Sequence, residues 1–460
     1  MEKDNKKIIR AWTFYDWANS VFPLVITSAI FPNFYDAVTV TKDVVTGQII
    51  SHKVFFLGIE FENHNIYSFV YAFALAIVVL LSPILSGIAD YLGNKKFFLQ
   101  FFCYLGSLSC MGLYFFDKNH LELSFIPFIT ATIGFWGSLV YYNSYLPQIA
   151  SPENQDKVSA RGFALGYFGS SLLLIICLIG IMVFKYQETI VDGIVISTSG
   201  FFKAKYSFLL VGLWWMGFAQ YTFKFLPKKT HHHTITNRDG LFSKGFKELS
   251  NVYAQIKLMP QLKRFLTSYF FYNMGVQTIM VVAVLFARNE IDWGSDPIIA
   301  EKTKTSALII SILIIQFVGI AGSFLFSWMS RQIGNIKTLI VTILIWIFIC
   351  VFTYGVVHTP FEFYIVAFLV GLVMGGVQAL SRSTYSKYLP ETEDHTSFFS
   401  FYDVIEKLGM ILGTISFGMI SQITGGMRNS ILSLIIFFVA GLIIIIPLIK
   451  KSKEYSQPKV

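Results

Sequence analysis

The chain has 460 residues, of which 54% are hydrophobic and only 14% are charged, with a formal net charge of +9. Soluble domains carry about 25% charged residues, and a water-soluble protein of this composition could not cover its surface with polar groups. The positive charge does not indicate nucleic-acid binding, because the lysines and arginines lie in short segments between apolar blocks, without a basic helix or an RNA-binding motif.

Apolar blocks of about 20 residues recur along the chain, and this is the length of a helix that crosses roughly 30 Å of hydrocarbon. The blocks predict an all-α, integral, multi-pass membrane protein with twelve transmembrane helices. The predicted spans are residues 12–35, 66–89, 97–116, 123–146, 160–184, 206–226, 261–286, 305–329, 337–357, 361–386, 397–421 and 429–449.

The loops between these blocks differ in charge. Lysines and arginines concentrate at the two ends of the chain and in loops such as 95–96 and 227–260, whereas the loops of the other set are richer in acids. The positive-inside rule therefore places both termini in the cytoplasm, which requires an even number of spans. The chain contains no Asn-x-Ser/Thr sequence, and this favours a bacterial cytoplasmic (inner) membrane.

The longest predicted cytoplasmic loop, 227–260, separates a six-helix bundle at 1–226 from a second at 261–460. It contains His231, His232 and His233, a run that can bind metal but is also common in solvated linkers. We favour the linker and expect no metal site and no cofactor.

A second polar segment, 38–63, is too rich in polar and β-branched residues to be a span. Thr46-Gly47 stands between two alternating runs and predicts a small extracytoplasmic hairpin.

The two halves of the chain repeat each other at nearly one shift. Because the matched residues are mostly polar, Gly or Pro, the general similarity of apolar helices does not explain them. We therefore expect two six-helix pseudo-repeats. The matches pair Arg10, Thr13, Tyr15 and Asn19 with Arg264, Thr267, Tyr269 and Asn273; Gly93, Asn94 and Lys96 with Gly334, Asn335 and Lys337; and Tyr142, Tyr145, Leu146 and Pro147 with Tyr385, Tyr388, Leu389 and Pro390.

Residues 87–96 read GIADYLGNKK. Gly87 allows close helix packing, Gly93 permits a tight turn, and Asp90 can pair with basic groups or a helix N-terminus in one conformation and release them in another. With Lys95 and Lys96, this segment resembles the loop signature between spans 2 and 3 of the major facilitator superfamily. It departs from the family pattern at Tyr91, which is usually basic, and the second copy has Arg331 in place of Asp90.

Three segments, AWTFYDWANS at 11–20, YNSYLPQIA at 142–150 and SARGFALGYFG at 159–169, extend the resemblance to the vacuole-effluxer-like branch of this superfamily. That branch includes autophagy-related vacuolar amino-acid effluxers of fungi and bacterial relatives. The resemblance implies a secondary transporter that exports a small solute, with amino acids or similar metabolites as the best-known class, by alternating access and with the solute bound between the halves. We also expect coupling to protons and a monomer.

Two alternatives to a solute exporter remain open at this point. One is a translocase of lipids or lipid-linked precursors on the same fold, and the other is a non-transporting membrane sensor. We expect no enzyme, because the chain has no HExxH sequence and no phosphate-binding loop.

Neutral polar residues inside the predicted spans are the candidates for substrate binding. Asn19 and Asn273 are related by the repeat and lie on spans 1 and 7, which line the cavity in the architecture that the chain resembles. The alternative for each candidate is an interhelical hydrogen bond worth about 0.6 kcal/mol. The candidates are Tyr15, Asn19, Asn143, Asn273, Gln277, Gln316 and Gln378.

Ionisable residues inside spans are costly and usually face a cavity or a partner. The spacing of Asp403 and Lys407 allows them to pair on one helix face, which leaves Glu406 in need of a partner or a proton. We favour gate pairing on the cytoplasmic side for these residues, with proton coupling or substrate contact as the alternative. The candidates for gating or coupling are Asp16, Asp90, Arg161, Arg382, Asp403, Glu406 and Lys407.

Overall fold

The computed structural model describes residues 3–42, 49–191, 194–227, 241–294, 297–391 and 395–449. Its first half contains nine α-helices within this described part of the chain. They are α1 (Lys6–Asn19), α2 (Phe31–Thr39), α3 (Asn63–Leu92), α4 (Lys95–Gly112), α5 (Leu121–Ser124), α6 (Ile126–Asn143), α7 (Leu146–Ile149), α8 (Pro152–Val183) and α9 (Lys205–Phe225). Short 3₁₀ turns at Leu113–Phe115 and Lys118–His120 lead into α5.

The second half is also helical. Its helices are α10 (Leu241–Leu258), α11 (Pro260–Glu290), α12 (Pro297–Ile333), α13 (Asn335–Gly355), α14 (Pro360–Tyr388), α15 (Thr396–Thr424), α16 (Met427–Ser433) and α17 (Ile435–Ile445). The described residues contain eleven helical segments that are long and apolar enough to cross a membrane, and these match eleven of the predicted spans. The remaining predicted span, 206–226, is α9, a helix of 21 residues that includes two tryptophans, two tyrosines and a glutamine.

Span 1 is not a regular α-helix. Between α1 and α2 the chain is π-helical over Phe22–Ile30, and Pro23 lies at its start. A proline inside a helix disturbs the backbone ladder because it lacks the N–H donor and its ring crowds the preceding turn. The hydroxyls of Thr27 and Ser28 donate to the carbonyl of Pro23 at 2.6 and 2.8 Å. These hydroxyls add two donors to a single carbonyl of the π-helical segment.

Within the described ranges, three antiparallel strand pairs lie between the helices. They are formed by β1 (Thr41–Lys42) with β2 (Ile49–Ser51), β3 (Lys53–Phe56) with β4 (Ile59–Glu62), and β5 (Gln187–Val191) with β6 (Ile194–Ser199). The predicted turn at Thr46-Gly47 lies outside the described residues. The segment 38–63 contains two hairpins rather than the one that we expected, because the chain turns a second time at Leu57-Gly58.

The predicted linker 227–260 contains α10, which packs against α3. His231, His232 and His233 lie outside the described residues. The two halves meet along three pairs of helices: α3 packs against α15, and α8 packs against both α12 and α14. The residues that join the halves therefore lie on these helices and on α1 and α6, beside them.

Candidate transport site and gate

A buried ion pair joins the two halves. Arg382 on α14 places its Nη2 3.5 Å from Oδ2 of Asp16 on α1, and the two side chains are 4% and 7% exposed. The hydroxyl of Tyr142, at the end of α6, donates to the same carboxylate oxygen at 2.7 Å. A carboxylate that is removed from water needs such donors, since the cost of burying an unpaired charge is large.

Arg382 belongs to the second half, but its contacts are with the first. Its Nε and Nη2 donate to the hydroxyl and the carbonyl of Ser159, both at 2.9 Å, and its Nη1 donates to Oδ1 of Asn143 at 3.2 Å. The guanidinium also lies over the rings of Trp12 and Phe163, 4.8 and 4.3 Å from their centroids. The planar, multidentate group of arginine suits this pocket in a way that lysine does not.

The helix packing around Asp16 depends on a small residue. A Cβ atom built on Gly162 of α8 would contact Oδ2 of Asp16 and would lie 3.1 Å from Nη2 of Arg382. Gly166 and Gly169 on the same face lie against Ser20 and Trp17 of α1. The glycine face of α8 therefore brings α1 close enough for the ion pair to form.

Asp90 forms a second contact between the halves. Its Oδ1 accepts from the backbone N–H of Thr396 at 3.2 Å, and its Oδ2 accepts from that of Ser397 at 2.6 Å. Both donors lie in the first turn of α15, where backbone N–H groups lack helical partners and the helix dipole favours a negative charge. The chain leaves α3 after Asp90 through Gly93, whose φ of 59° is in the left-handed region.

The lysines of the same loop bind their own half. Lys95 Nζ donates to the carbonyl of Ser144 at 3.1 Å and to Oε1 of Gln148 at 2.7 Å. Lys96 Nζ donates to the carbonyl of Leu226 at 2.7 Å. In this conformation Asp90 contacts the opposite half, whereas Lys95 and Lys96 donate hydrogen bonds at the ends of α6 and α9.

Asp156 on α8 forms a third contact between the halves, and the sequence analysis did not identify it. Its carboxylate accepts from Lys387 Nζ at 2.8 Å, from Asn335 Nδ2 at 2.8 Å and from the hydroxyl of Ser330 at 3.0 Å. All three donors belong to the second half. The repeat indicates why this contact exists. Asn335 corresponds to Asn94, and the second copy has Arg331 where the first copy has Asp90. Asp156 of α8 supplies the carboxylate that this second copy lacks.

A cluster of ionisable residues lies deeper, on α15. Lys407 forms a salt bridge with Asp403, and its Nζ lies 3.9 Å from the ring centroid of Trp136, which belongs to the first half. Glu406 forms no salt bridge with a described residue; its Oε1 accepts from Nε2 of Gln277 at 3.0 Å. Asn273 Nδ2 donates to the carbonyl of Glu406 at 3.4 Å. Asp403, Glu406 and Lys407 together carry one more formal negative charge than positive.

Two other candidates present polar atoms without partners. Among the described residues, no hydrogen-bond partner is found for the buried Nδ2 of Asn19 or Oε1 of Gln316. Buried polar groups are normally paired, so these two atoms are available to a ligand or to water. Gln378 differs, because its Oε1 accepts from the hydroxyl of Tyr167 at 3.0 Å across the two halves.

Three candidates lie away from this cluster. Tyr15 is buried inside the first bundle, where its ring lies 5.1 and 6.3 Å from those of Tyr142 and Phe223. Asn143 belongs to the pocket of Arg382 rather than to the cluster on α15. Arg161 is exposed and forms no salt bridge with a residue in the described ranges.

The fold is that of the major facilitator superfamily. The transporter FucP in the outward conformation superposes with a TM-score of 0.65 at 13% identity, covering 96% of this chain and 98% of FucP. The proton:xylose symporter XylE, bound to 6-bromo-6-deoxy-D-glucose, gives a TM-score of 0.64 at 12% identity, covering 97% and 95%. The prediction of an all-α membrane protein with this fold is therefore confirmed.

The family described as "Vacuole effluxer Atg22 like" matches residues 4–456, and the chain belongs to this family. The MFS-type transporter YxiO of Bacillus subtilis (strain 168) is 32% identical, covering 97% of this chain and 95% of YxiO. Autophagy-related protein 22-2 of Aspergillus oryzae is 24% identical, covering 85% of this chain and 76% of the relative. The chain is thus a multi-pass membrane transporter and not an enzyme, as its sequence predicted.

Proposed function

We propose that this transporter exports a small solute, with amino acids as the leading class, by alternating access of two six-helix halves in a bacterial cytoplasmic membrane. The observation that supports this most directly is the insertion of Arg382 of the second half into a pocket made by the first. A buried contact of this kind can close one entrance to a central site, and its release can open that entrance again.

The three contacts made by Asp16, Asp90 and Asp156 close the same end of the bundle. The amino-terminal segment lies at this end too, because the N–H of Ser151 donates to Oδ1 of Asp4 at 3.0 Å. At the opposite end, the halves share an exposed hydrogen bond from Arg288 to Asn33 at 3.2 Å. With the termini in the cytoplasm, this conformation is closed towards the cytoplasm.

The polar cluster above this gate suits a solute that carries both a cationic and an anionic group. Glu406 offers a carboxylate to an ammonium group, or holds a proton in its absence, and it supplies the excess negative charge of the cluster. Lys407 and Gln277 offer donors to a solute carboxylate once the halves separate, and Asn19 on α1 offers a further donor, its Nδ2, which is unpaired among the described residues. We therefore assign coupling to Glu406 and gating to Asp16 and Arg382, and we expect a monomer to be sufficient.

The proposal is tested by transport into liposomes that contain the purified protein. A panel of labelled amino acids, sugars, short peptides and a fluorescent phospholipid is offered with and without a pH gradient. We expect saturable movement of at least one amino acid, beyond that of protein-free liposomes. Movement of the phospholipid alone would contradict solute export and support a lipid translocase on the same fold.

A further inference from the structure

The tip of the second hairpin is apolar and exposed. Strand register pairs Phe56 with Ile59, so that Leu57 and Gly58 form a two-residue turn. Phe55, Leu57 and Ile59 are 71%, 72% and 59% exposed. Large apolar side chains grouped on one projection are unusual on a surface that faces only water.

The turn itself is built from an unexpected residue. Leu57 and Gly58 both have positive φ, 52° and 78°, the conformation of a turn that ordinarily has Asn-Gly or Asp-Gly. A positive φ is uncommon for a residue with a bulky side chain. Leu57 is disfavoured here for two reasons: its φ is positive, and its apolar side chain would be exposed in water. An apolar environment for the side chain removes the second of these costs.

Contacts to neighbouring elements hold the hairpin in place. The N–H of Leu57 donates to Oε1 of Glu122 on α5 at 2.8 Å. The rings of Phe56 and Phe125 lie edge to face at 6.1 Å between centroids, as do those of Phe61 and Phe69 at 6.4 Å. The tip is therefore fixed to the ends of α3 and α6, in the first half of the molecule.

The exposed tip continues an apolar surface that belongs to the spans. Phe69 and Phe73 on α3 are 59% and 57% exposed, and Leu123 and Ile126 beside α6 are 66% and 50% exposed. Since α3 and α6 cross the membrane, these side chains face lipid. The hairpin also has an exposed salt bridge between Lys53 and Glu60 at 3.1 Å, on the face that carries Phe55, because the register places Glu60 directly opposite Phe55.

We propose that the β3–β4 hairpin inserts Leu57 and Ile59 into the lipid leaflet on the membrane face opposite the termini. The partner is the upper acyl-chain region of the bilayer, with Phe55 and the Lys53–Glu60 pair at the level of the headgroups. A four-residue strand spans roughly 13 Å, which is enough to reach from the headgroups into the hydrocarbon. The hairpin then anchors the first half at this face while the second half moves against it.

A fluorescent probe at the tip tests this inference. The cysteines Cys103, Cys110, Cys177 and Cys350 are all buried, so the unsubstituted protein should react little with a thiol reagent. L57C and I59C are labelled with an environment-sensitive fluorophore in single-copy nanodiscs, and H52C, just before the hairpin, is the matched control. We expect blue-shifted emission at positions 57 and 59, quenched by lipids brominated near the top of the acyl chain.

For H52C we expect emission typical of water and quenching by aqueous iodide. The inference is overturned if the probe at positions 57 and 59 is quenched by iodide and not by brominated lipid, as for a tip in water. It is equally overturned if neither quencher reaches the probe, as for a tip covered by another part of the protein. Neither result depends on which solute is transported.

Discussion

Asp16 and Arg382 are separated by 366 positions in the sequence, yet Arg382 Nη2 lies 3.5 Å from Asp16 Oδ2. The pair is almost fully removed from water, and its two members come from opposite halves of the transporter. The stability of the closed gate therefore depends on the charges of Asp16 and Arg382.

Removing one member of this pair should destabilise the protein strongly. R382Q leaves Asp16 as a buried charge without its cation, and breaking a buried pair in this way costs about 3–5 kcal/mol. We expect a large fall in the thermal unfolding midpoint of R382Q in detergent, and partial recovery in the double variant D16N/R382Q, where neither charge remains.

The matched control is K53Q, which breaks the exposed pair between Lys53 and Glu60. Exposed pairs are worth about 0–1 kcal/mol, so K53Q should unfold close to the unsubstituted protein. A double variant no more stable than R382Q would show that the charges of Asp16 and Arg382 are not energetically coupled.

A side chain at position 162 should lower the stability of the folded protein. G162A places a methyl group against the carboxylate of Asp16, and overpacking of this kind costs about 1–3 kcal/mol. Gly217 on α9 has open space around its Cβ position, so G217A should stabilise its helix by up to about 1 kcal/mol. Thermal unfolding of the two variants measures the difference, and equal midpoints would contradict the close approach of α1 and α8.

The sequence predicted the helices well, for a physical reason. A helix that crosses lipid must satisfy its backbone internally and present apolar side chains for its whole length, so hydropathy alone locates it. Hydropathy does not locate local departures from regular helix or strand geometry. The π-helical segment around Pro23 and the turn at Leu57-Gly58 arise from single residues inside otherwise ordinary patterns.

The candidate site was predicted only in part. Asp16, Arg382 and Glu406 were identified because an ionisable residue in an apolar block is conspicuous. The sequence does not indicate that Asp156 is buried, because this residue follows the polar run Glu153-Asn154-Gln155, which resembles a solvated loop. Its burial becomes visible only when α8 is packed against the second half, which no local pattern specifies.

Asp156 should stabilise the closed gate. D156N removes the charge that holds Lys387, Asn335 and Ser330 of the other half, and a hydrogen bond to a charged group is worth about 1.5–3 kcal/mol. A loss of 1.4 kcal/mol is a tenfold change in the ratio of two states, so we expect the open population to rise about tenfold or more.

Labelling of a buried cysteine measures this change. Ser397 on α15 is fully buried where its N–H contacts Asp90 of the first half, so S397C should react with a water-soluble thiol reagent only when the gate opens. The reaction should be about tenfold faster with D156N than without it. D117N, at a site where Asp117 contacts His120 of its own half, is the control and should leave the rate unchanged.

His395 should make stability depend on pH. Burial, reinforced by the charge of Lys95, lowers the pKa of His395 from its ordinary 6.5 to about 3. The unfolded chain then binds a proton that the folded chain does not, so stability is complete above pH 6.5 and is lost as the pH falls, by up to about 1.4 kcal/mol per unit. Unfolding midpoints between pH 7.5 and 5 should fall less steeply in H395Q.

The matched control for this titration is H120Q, because the side chain of His120 is 69% exposed. This variant should keep the slope of the unsubstituted protein. An unchanged slope in H395Q would show that His395 is protonated without cost in the folded state.

The most direct test of the account is transport by E406Q in liposomes, because Glu406 is assigned the coupling proton. Two assays are compared once a substrate is known: exchange of solute across the membrane at equal pH, and accumulation driven by a pH gradient. The variant E60Q, altered at an exposed acid of the hairpin, is the control. E406Q keeps an amide oxygen that can accept from an ammonium group, so we predict that it retains exchange at saturating solute and loses gradient-driven accumulation, while E60Q retains both. Gradient-driven accumulation by E406Q equal to that of the unsubstituted protein would contradict the account.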